Sequence, residues 1–352
     1  MMNKSVFSIG LMSGTSLDGI DLVYVKFETD NSANFKIVHA ETIPYTKKWK
    51  VLLQNAIHYT RNELNVLHKQ YGGFLGEVIA DFKSNYNIQH VDFIASHGHT
   101  ILHEPDKGIT LQVGCGKEIA KKTNIKVVYD FRTQDVKLGG QGAPLVPIGD
   151  QVLFKNYEYC LNLGGFSNVS YALNNQRIAF DICPVNIVLN HYANQLDLPF
   201  DVSGKCAAKG IVNEALLMQL NALEFYKKEA PKSLGLEWVQ EHIFPLINAC
   251  EKDEFVVLRT FVEHIAIQIG AVIFKSDAVL VTGGGVFNDF LMQRIQYHAQ
   301  NKITLVPDKL IHFKEALVFS FLGLLKLKGE VNCLKSVTGA KKNHSSGVVV
   351  YP

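Results

Sequence analysis

Apolar positions recur with a period of two through residues 6–11, 20–27 and 35–43, where β-branched and aromatic side chains alternate with polar ones. That spacing predicts three opening strands. A glycine turn rather than a helix joins the first two, so the sheet is expected to begin antiparallel. Helical periodicity follows near residues 50–56 and again over 64–82. A buried strand at 91–95 is expected to end at the polar cluster Ser96-His97-Gly98-His99, and another at 125–129 runs into Asp130-Phe131-Arg132. Leu138-Gly-Gly-Gln-Gly-Ala-Pro-Leu-Val-Pro147 is the densest Gly/Pro stretch and reads as the domain boundary. The opening pattern then recurs: Cys160-Leu-Asn-Leu163, a Gly164-Gly165 turn, and a strand over 168–173. Expected strands at 177–181, 278–282 and 303–306 alternate with helices at 185–195, 251–274, 286–299 and 314–326. Residues 347–351 read as a last strand returning to the first lobe. Strands followed by strand–helix alternation, twice over, predict two α/β lobes of related construction.

Composition narrows the functional classes. The 352 residues suit two domains, and 47% hydrophobic with 19% charged residues reads as globular. Lys plus Arg is 35 and Asp plus Glu 33, a formal charge of +2. So even a balance gives no footprint for nucleic acid or an anionic membrane. The six cysteines form no C-x-x-C pair, which points to a reducing cytoplasm rather than a disulfide framework. The apolar run at 316–325 is bracketed by Glu315 and Lys326 and reads as a buried helix, too short to span a bilayer.

Three glycine loops carry the candidate chemistry. Met12-Ser-Gly-Thr-Ser-Leu-Asp-Gly19 joins two strands, and its backbone N–H groups can form an anion nest, with Ser13, Thr15 and Ser16 adding hydroxyls. Asn162-Leu-Gly-Gly-Phe-Ser-Asn168 has the same design. The third, Val279-Leu-Val-Thr-Gly-Gly-Gly-Val-Phe-Asn288, runs from a strand through three glycines to a helix N-terminus, a natural anion site. Each alone reads equally as a turn. Three in one chain imply a nucleotide held between two lobes.

With Ser96-His97-Gly98-His99-Thr100, Asp130-Phe131-Arg132, Asp135, Gly139-Gly-Gln-Gly-Ala-Pro-Leu-Val-Pro147, Glu315-Ala316 and Val337-Thr-Gly-Ala340, these loops make the chain resemble the anhydro-N-acetylmuramic acid kinase family. That family belongs to the superfamily of sugar kinases and actin. The resemblance implies a two-lobed α/β fold, actin-like and ribonuclease-H-like, with an inter-lobe cleft. It divides the chain into an N-terminal lobe (1–137), a C-terminal lobe (138–340) and a tail (341–352). It implies ATP and Mg²⁺ as cofactors and a small sugar as substrate, and leaves a homodimer open. By this resemblance Met12, Ser13, Gly14, Thr15, Ser16, Leu17, Asp18 and Gly19 form the first phosphate loop. Asn162, Gly164, Gly165 and Asn168 would form the second, and Gly283, Gly284, Gly285 and Asn288 would lie against the adenosine.

Asp181 is the candidate catalytic residue. It ends an expected strand, where open α/β sheets place their ligands. Pro184 at the first helical position would make Cys183, not Asp181, the helix cap. In the family the matching aspartate is the general base for water attack on a 1,6-anhydro sugar, whose 6-oxygen then takes the γ-phosphoryl group of ATP. The resemblance assigns the sugar to His97, Arg132, Asp135, Asn186 and Glu315. Local alternatives exist: a loop histidine, an Arg132–Asp135 pair, and an acid opening a helix. His97, His99 and His103 have metal-like spacings, but no cysteine or carboxylate pair completes a set, so no protein-held metal is expected.

Departures cluster near Asp181. The family's Thr-Gly-Pro-Gly-Asn is Ile182-Cys183-Pro184-Val185-Asn186, a helical aspartate is Asn190, and Ser-Thr-Gly-Arg-Glu is Ser233-Leu234-Gly235-Leu236-Glu237. Cys183 and Val185 are expected to crowd the sugar pocket if the missing glycines allowed close approach. A buried, inert Cys183 thiol is expected, since no neighbouring histidine could activate it. Two other readings stay open: a kinase for another anhydro or amino sugar, and an ATP- and sugar-binding homologue without catalysis.

Overall fold

The computed structural model describes residues 5–14 and 17–352. Two compact units emerge: residues 1–153 with 313–352, and residues 154–312. The division differs from the one expected at residue 138. The Gly/Pro stretch is folded into the first unit, where Gly140 N and Gly142 N bond Asp135 and Gln141 N donates to the Thr338 carbonyl.

Unit 1 contains β1 (Ser5–Ser13), β2 (Gly19–Glu28), β3 (Phe35–Pro44), β4 (Phe93–Glu104), β5 (Ile109–Val113), β6 (Val127–Tyr129) and β11 (Val348–Val350). The strand order is β11-β6-β4-β1-β2-β3, with β5 on β4. The first three strands form an antiparallel meander, and β4 and β6 then run parallel to β1. Unit 2 has β7 (Tyr159–Leu163), β8 (Phe166–Leu173), β9 (Gln176–Pro184) and β10 (Val279–Thr282), ordered β10-β7-β8-β9. It repeats the plan, with an antiparallel meander and β10 parallel to β7. A meander followed by a parallel strand against its first member is the ribonuclease-H-like arrangement of actin-like proteins and sugar kinases. The period-two pattern predicted the first meander, and the recurring strand–turn–strand the first two strands of the second; that residues 176–184 continue the meander as β9 was not foreseen.

Three expectations are corrected. β4 does not stop at residue 95 but carries the Ser96–His99 cluster onward to Glu104, where the unforeseen β5 pairs with it. Residues 303–306 form no strand: Lys302 N and Ile303 N donate to the side chains of Asp277 and Gln296 instead of to a neighbouring strand. Pro184 ends β9 rather than opening a helix, and the cap of the Asn186–Asn194 helix is Val185.

The apolar helices are core elements. Glu254–Val272 is apolar and long enough to cross a membrane by composition, but most of it is buried against the helices and strands of unit 2. Asp308–Lys328 packs on β1, and contact is close enough that a Cβ on Gly10 would lie 2.2 Å from the Ala316 carbonyl oxygen. Backbone cannot yield there as a side chain could. Gly10→Ala is therefore expected to cost about 1–3 kcal/mol through overpacking. Urea unfolding checks this: the midpoint should fall with the slope unchanged. An unaltered midpoint would contradict this seating of the helix.

Candidate active site

In unit 1, β1 delivers Met12 and Ser13 to the first loop. Ser13 is turned inward. Its hydroxyl bonds the Tyr45 hydroxyl, accepts from the Tyr71 hydroxyl at 3.2 Å, and lies 2.9 Å from His99 Nδ1. Tyr45 and Tyr71 also bond each other. Burial lowers the His99 pKa to about 4, so its imidazole is neutral at pH 7. Such a network fixes the root of the loop, and the Ser13 hydroxyl already has its partners. Beyond it, Leu17 adopts a positive φ of 59° and donates to the Gly14 carbonyl. Asp18 presents an exposed side chain, and Gly19 opens β2 opposite Pro44. Thr15 and Ser16 lie outside the described residues.

In unit 2, Asn162 is paired with Asn168 on β8 and with Thr282 on β10. The second and third loops meet here. Gly283 has φ +89°, and a Cβ on it would lie 2.6 Å from Asn162 Oδ1 and 2.8 Å from the Leu163 carbonyl. Both facts demand glycine. Gly284 continues into a short 3₁₀ turn with Gly285, and Asn288 then caps the Asp289–Ala299 helix by accepting from Leu291 N at 2.9 Å. The Gly164 and Gly165 carbonyls accept from the N–H groups of Asn186, Val185 and Ile187, so the start of that helix is tied to the second loop. Asn186 Nδ2 donates to the Leu163 carbonyl at 3.2 Å, which occupies it in the same junction.

Asp181 faces Asn168 across the β8–β9 pair. The register slips between Ser167 and Asn168, leaving Ile182 as an extra residue, a bulge of the kind that re-aims side chains near active sites. Asp181 Oδ2 accepts from Leu234 N at 2.8 Å, and Asp181 N donates to the Lys232 carbonyl at 3.0 Å. Desolvation raises its pKa, and the Leu234 hydrogen bond partly opposes that. The result is a half-buried carboxylate, held by one oxygen and basic for its type. The clasp by residues 232–234 was not foreseen; its one sequence signal was the altered motif at 233–237.

Of the residues expected at the sugar, His97 and Arg132 form a unit. His97 Nδ1 lies 2.9 Å from the Gly98 carbonyl, so that nitrogen carries the proton, and Nε2 accepts from Arg132 Nε at 2.9 Å. Burial, with Arg132 beside it, holds the His97 pKa well below the ordinary value. Arg132 Nη1 donates to the Gly142 carbonyl at 2.7 Å, fixing the guanidinium plane. Its pKa is lowered by burial to about 10, leaving it charged at neutral pH. His97 thus orients Arg132. Glu315 has exposed surface although protein crowds it; desolvation raises its carboxyl pKa, while Arg132 and Lys314 pull it back.

Asp135 is arranged otherwise than expected. It is fully buried, Oδ2 accepts from Gly142 N at 2.7 Å, and Oδ1 accepts from Thr338 Oγ1 at 2.8 Å and Cys333 Sγ at 3.0 Å. These bonds join three chain segments and leave the carboxylate no exposed surface.

Residues 6–352 match the family model for anhydro-N-acetylmuramic acid kinase. The chain belongs to that family. Curated relatives carrying the name include a Bacillus cereus (strain Q1) protein, 32% identical with 99% of this chain and 100% of the relative covered. A Shewanella baltica (strain OS185) protein is 34% identical, covering 96% and 97%. Among solved structures, the chain is similar to the Clostridium difficile activator of 2-hydroxyisocaproyl-CoA dehydratase with bound ADPNP. That likeness has a TM-score of 0.45 at 11% identity, covers 92% and 97% of the two chains, and is distant.

For this kinase-family chain, the residues that depart from the family's glycines have a definite place. Cys183 and Val185 are both fully buried among the apolar side chains of unit 2. They fill the core rather than crowd a pocket, which corrects the expectation from sequence. Burial also pushes the Cys183 thiol pKa up, with Asp181 adding to it, so the thiol is protonated and inert.

Proposed function

We propose that the chain is an ATP-dependent kinase that opens the 1,6-anhydro bond of anhydro-N-acetylmuramic acid and phosphorylates the freed 6-oxygen. The observation that carries this reading is the family match over residues 6–352. The site geometry suggests the roles. Asp181 is the general base: it accepts a proton from water, whose oxygen bonds to the anomeric carbon. The C1–O6 bond breaks, its electron pair stays on O6, and O6 bonds the γ-phosphorus as the bond to ADP breaks. A basic carboxylate held through one oxygen suits that step, since the other oxygen can face water.

In unit 2, the exposed backbone at Gly284, where a Cβ would meet nothing nearer than Asn186 Nδ2 at 3.9 Å, lies against the adenosine side of ATP, and the second loop takes the phosphates. In unit 1, Arg132, oriented by His97, contacts the sugar with Glu315, and the first loop supplies N–H donors to phosphate. Asp18, an exposed carboxylate on that loop, is of the donor type that holds Mg²⁺ beside nucleotide phosphates. When bound, the ion neutralises charge on the transferring phosphoryl group. Cysteines free of disulfides fit a cytoplasmic enzyme.

The test measures ADP release from ATP and Mg²⁺ with a panel of anhydro and amino sugars. Release is expected with the anhydro-muramic sugar above all others. Stronger release with another sugar would replace the substrate, and release with none would contradict the reading.

A further inference from the structure

Unit 1 contains three metal-ligand side chains that this chemistry does not use. Asp135, Cys333 and His344 are 0%, 1% and 5% exposed, and a donor atom from each lies within 4.8 Å of the others. Cys333 and His344 face each other across an isolated antiparallel bridge in the C-terminal segment, while Asp135 comes from the Thr133–Lys137 helix.

His344 decides the reading. Its Nδ1 lies 3.2 Å from the Lys342 carbonyl, which can only accept, so Nδ1 carries the hydrogen. In a neutral ring, Nε2 is then a bare acceptor. It is buried without a hydrogen-bond partner and faces Asp135 Oδ1 at 3.6 Å. Two acceptors facing each other away from water need a positive species beside them. Cys333 Sγ reaches the same Asp135 oxygen at 3.0 Å, so sulfur, nitrogen and oxygen converge on one place. That mixed donor set suits Zn²⁺. A backbone carbonyl on the far ring nitrogen is the outer partner that metal-bound histidines usually keep.

We propose that Asp135, Cys333 and His344 bind a structural Zn²⁺ ion that fastens the C-terminal segment to the stretch carrying Arg132. On binding, the Cys333 thiol proton leaves to solvent and a Zn–S bond forms. Thiolate and carboxylate then balance the two positive charges in the dry interior. Thr338 Oγ1, itself bonded to Asp135, offers a neutral oxygen for the fourth position. Bonds of about 2.0–2.3 Å in a tetrahedral site set the donors roughly 3.3–3.6 Å apart, so the 3.6 Å Asp135–His344 spacing fits, and Cys333 Sγ backs off from 3.0 Å as its thiol hydrogen bond to Asp135 gives way to the metal.

The full-length protein, purified without a metal-affinity step, should contain about one zinc per chain by mass spectrometry of the metal. After stripping with a chelator, titration with Co²⁺ should produce thiolate-to-cobalt absorption in the near ultraviolet, and Zn²⁺ should raise the thermal midpoint by several degrees. Cys333→Ser should abolish the absorption, and His344→Gln should lose the stoichiometric zinc. Should either variant fail to fold, the cobalt spectrum of the wild type decides alone. A wild type that takes up neither ion and whose midpoint does not move would overturn the proposal, leaving a proton on Nε2 as what holds the pair.

Discussion

Asp181→Asn is expected to lower turnover by about 10²–10⁴-fold, the usual contribution of a positioned general base, while ATP binding stays unchanged. The substitution is nearly isosteric. An asparagine oxygen can still accept from Leu234 N, so the clasp by residues 232–234 survives and only proton acceptance is lost. Steady-state kinetics with nucleotide binding by calorimetry checks both halves. The base must be ionised, so wild-type turnover should rise with pH through the Asp181 pKa. Desolvation places that limb above the ordinary aspartate value of about 3.9. The same shift has a consequence for stability. A carboxyl whose pKa is raised by folding contributes stability below its unfolded pKa and loses it as pH rises through the folded one. Above its folded pKa the ionised Asp181 is therefore a burden, and there Asp181→Asn should melt higher than the wild type. That difference should vanish below about pH 3.9. A variant that turns over normally would remove Asp181 from the mechanism.

Asp135→Ala should instead act on the fold, costing about 3–5 kcal/mol. The change strands the Gly142 N–H and the Cys333 thiol and leaves the Thr338 hydroxyl only a longer bond to the Leu334 carbonyl, all around a carboxylate with no exposed surface. Chemical denaturation measures the loss. A variant as stable as the wild type, but with weakened sugar binding, would return Asp135 to the substrate contacts where sequence resemblance put it.

These two aspartates show what could be read from sequence and what could not. Asp181 was singled out chiefly by the family resemblance; the local premise beside it, a strand ending there before a helix opened by Pro184, is not met, since β9 runs on through Pro184. The first meander and the opening hairpin of the second were legible, since alternation along residues 6–11 or 168–173 is local. Asp135 was misplaced because its partners, Cys333 and Thr338, are about two hundred residues away, and only folding brings them together. Ser13 looked like a phosphate donor by composition, but its hydroxyl is claimed by Tyr45, Tyr71 and His99. Cys183 and Val185 looked like pocket residues because the family's glycines stand there, yet their side chains turn into the core. In each case the residue type was right for a site, and the direction of the side chain, set by distant contacts, was not in the local pattern. The domain boundary failed for a related reason. Gly and Pro at 138–147 mark irregular backbone, and here that backbone is bonded into unit 1.

The coupled reaction is tested most directly by mass spectrometry of the sugar after incubation with ATP and Mg²⁺. The account predicts a product heavier by one water and one phosphoryl group, formed with one ADP per sugar. A product that gains the phosphoryl group but not the water, or ADP formed without any change in the sugar, would contradict it.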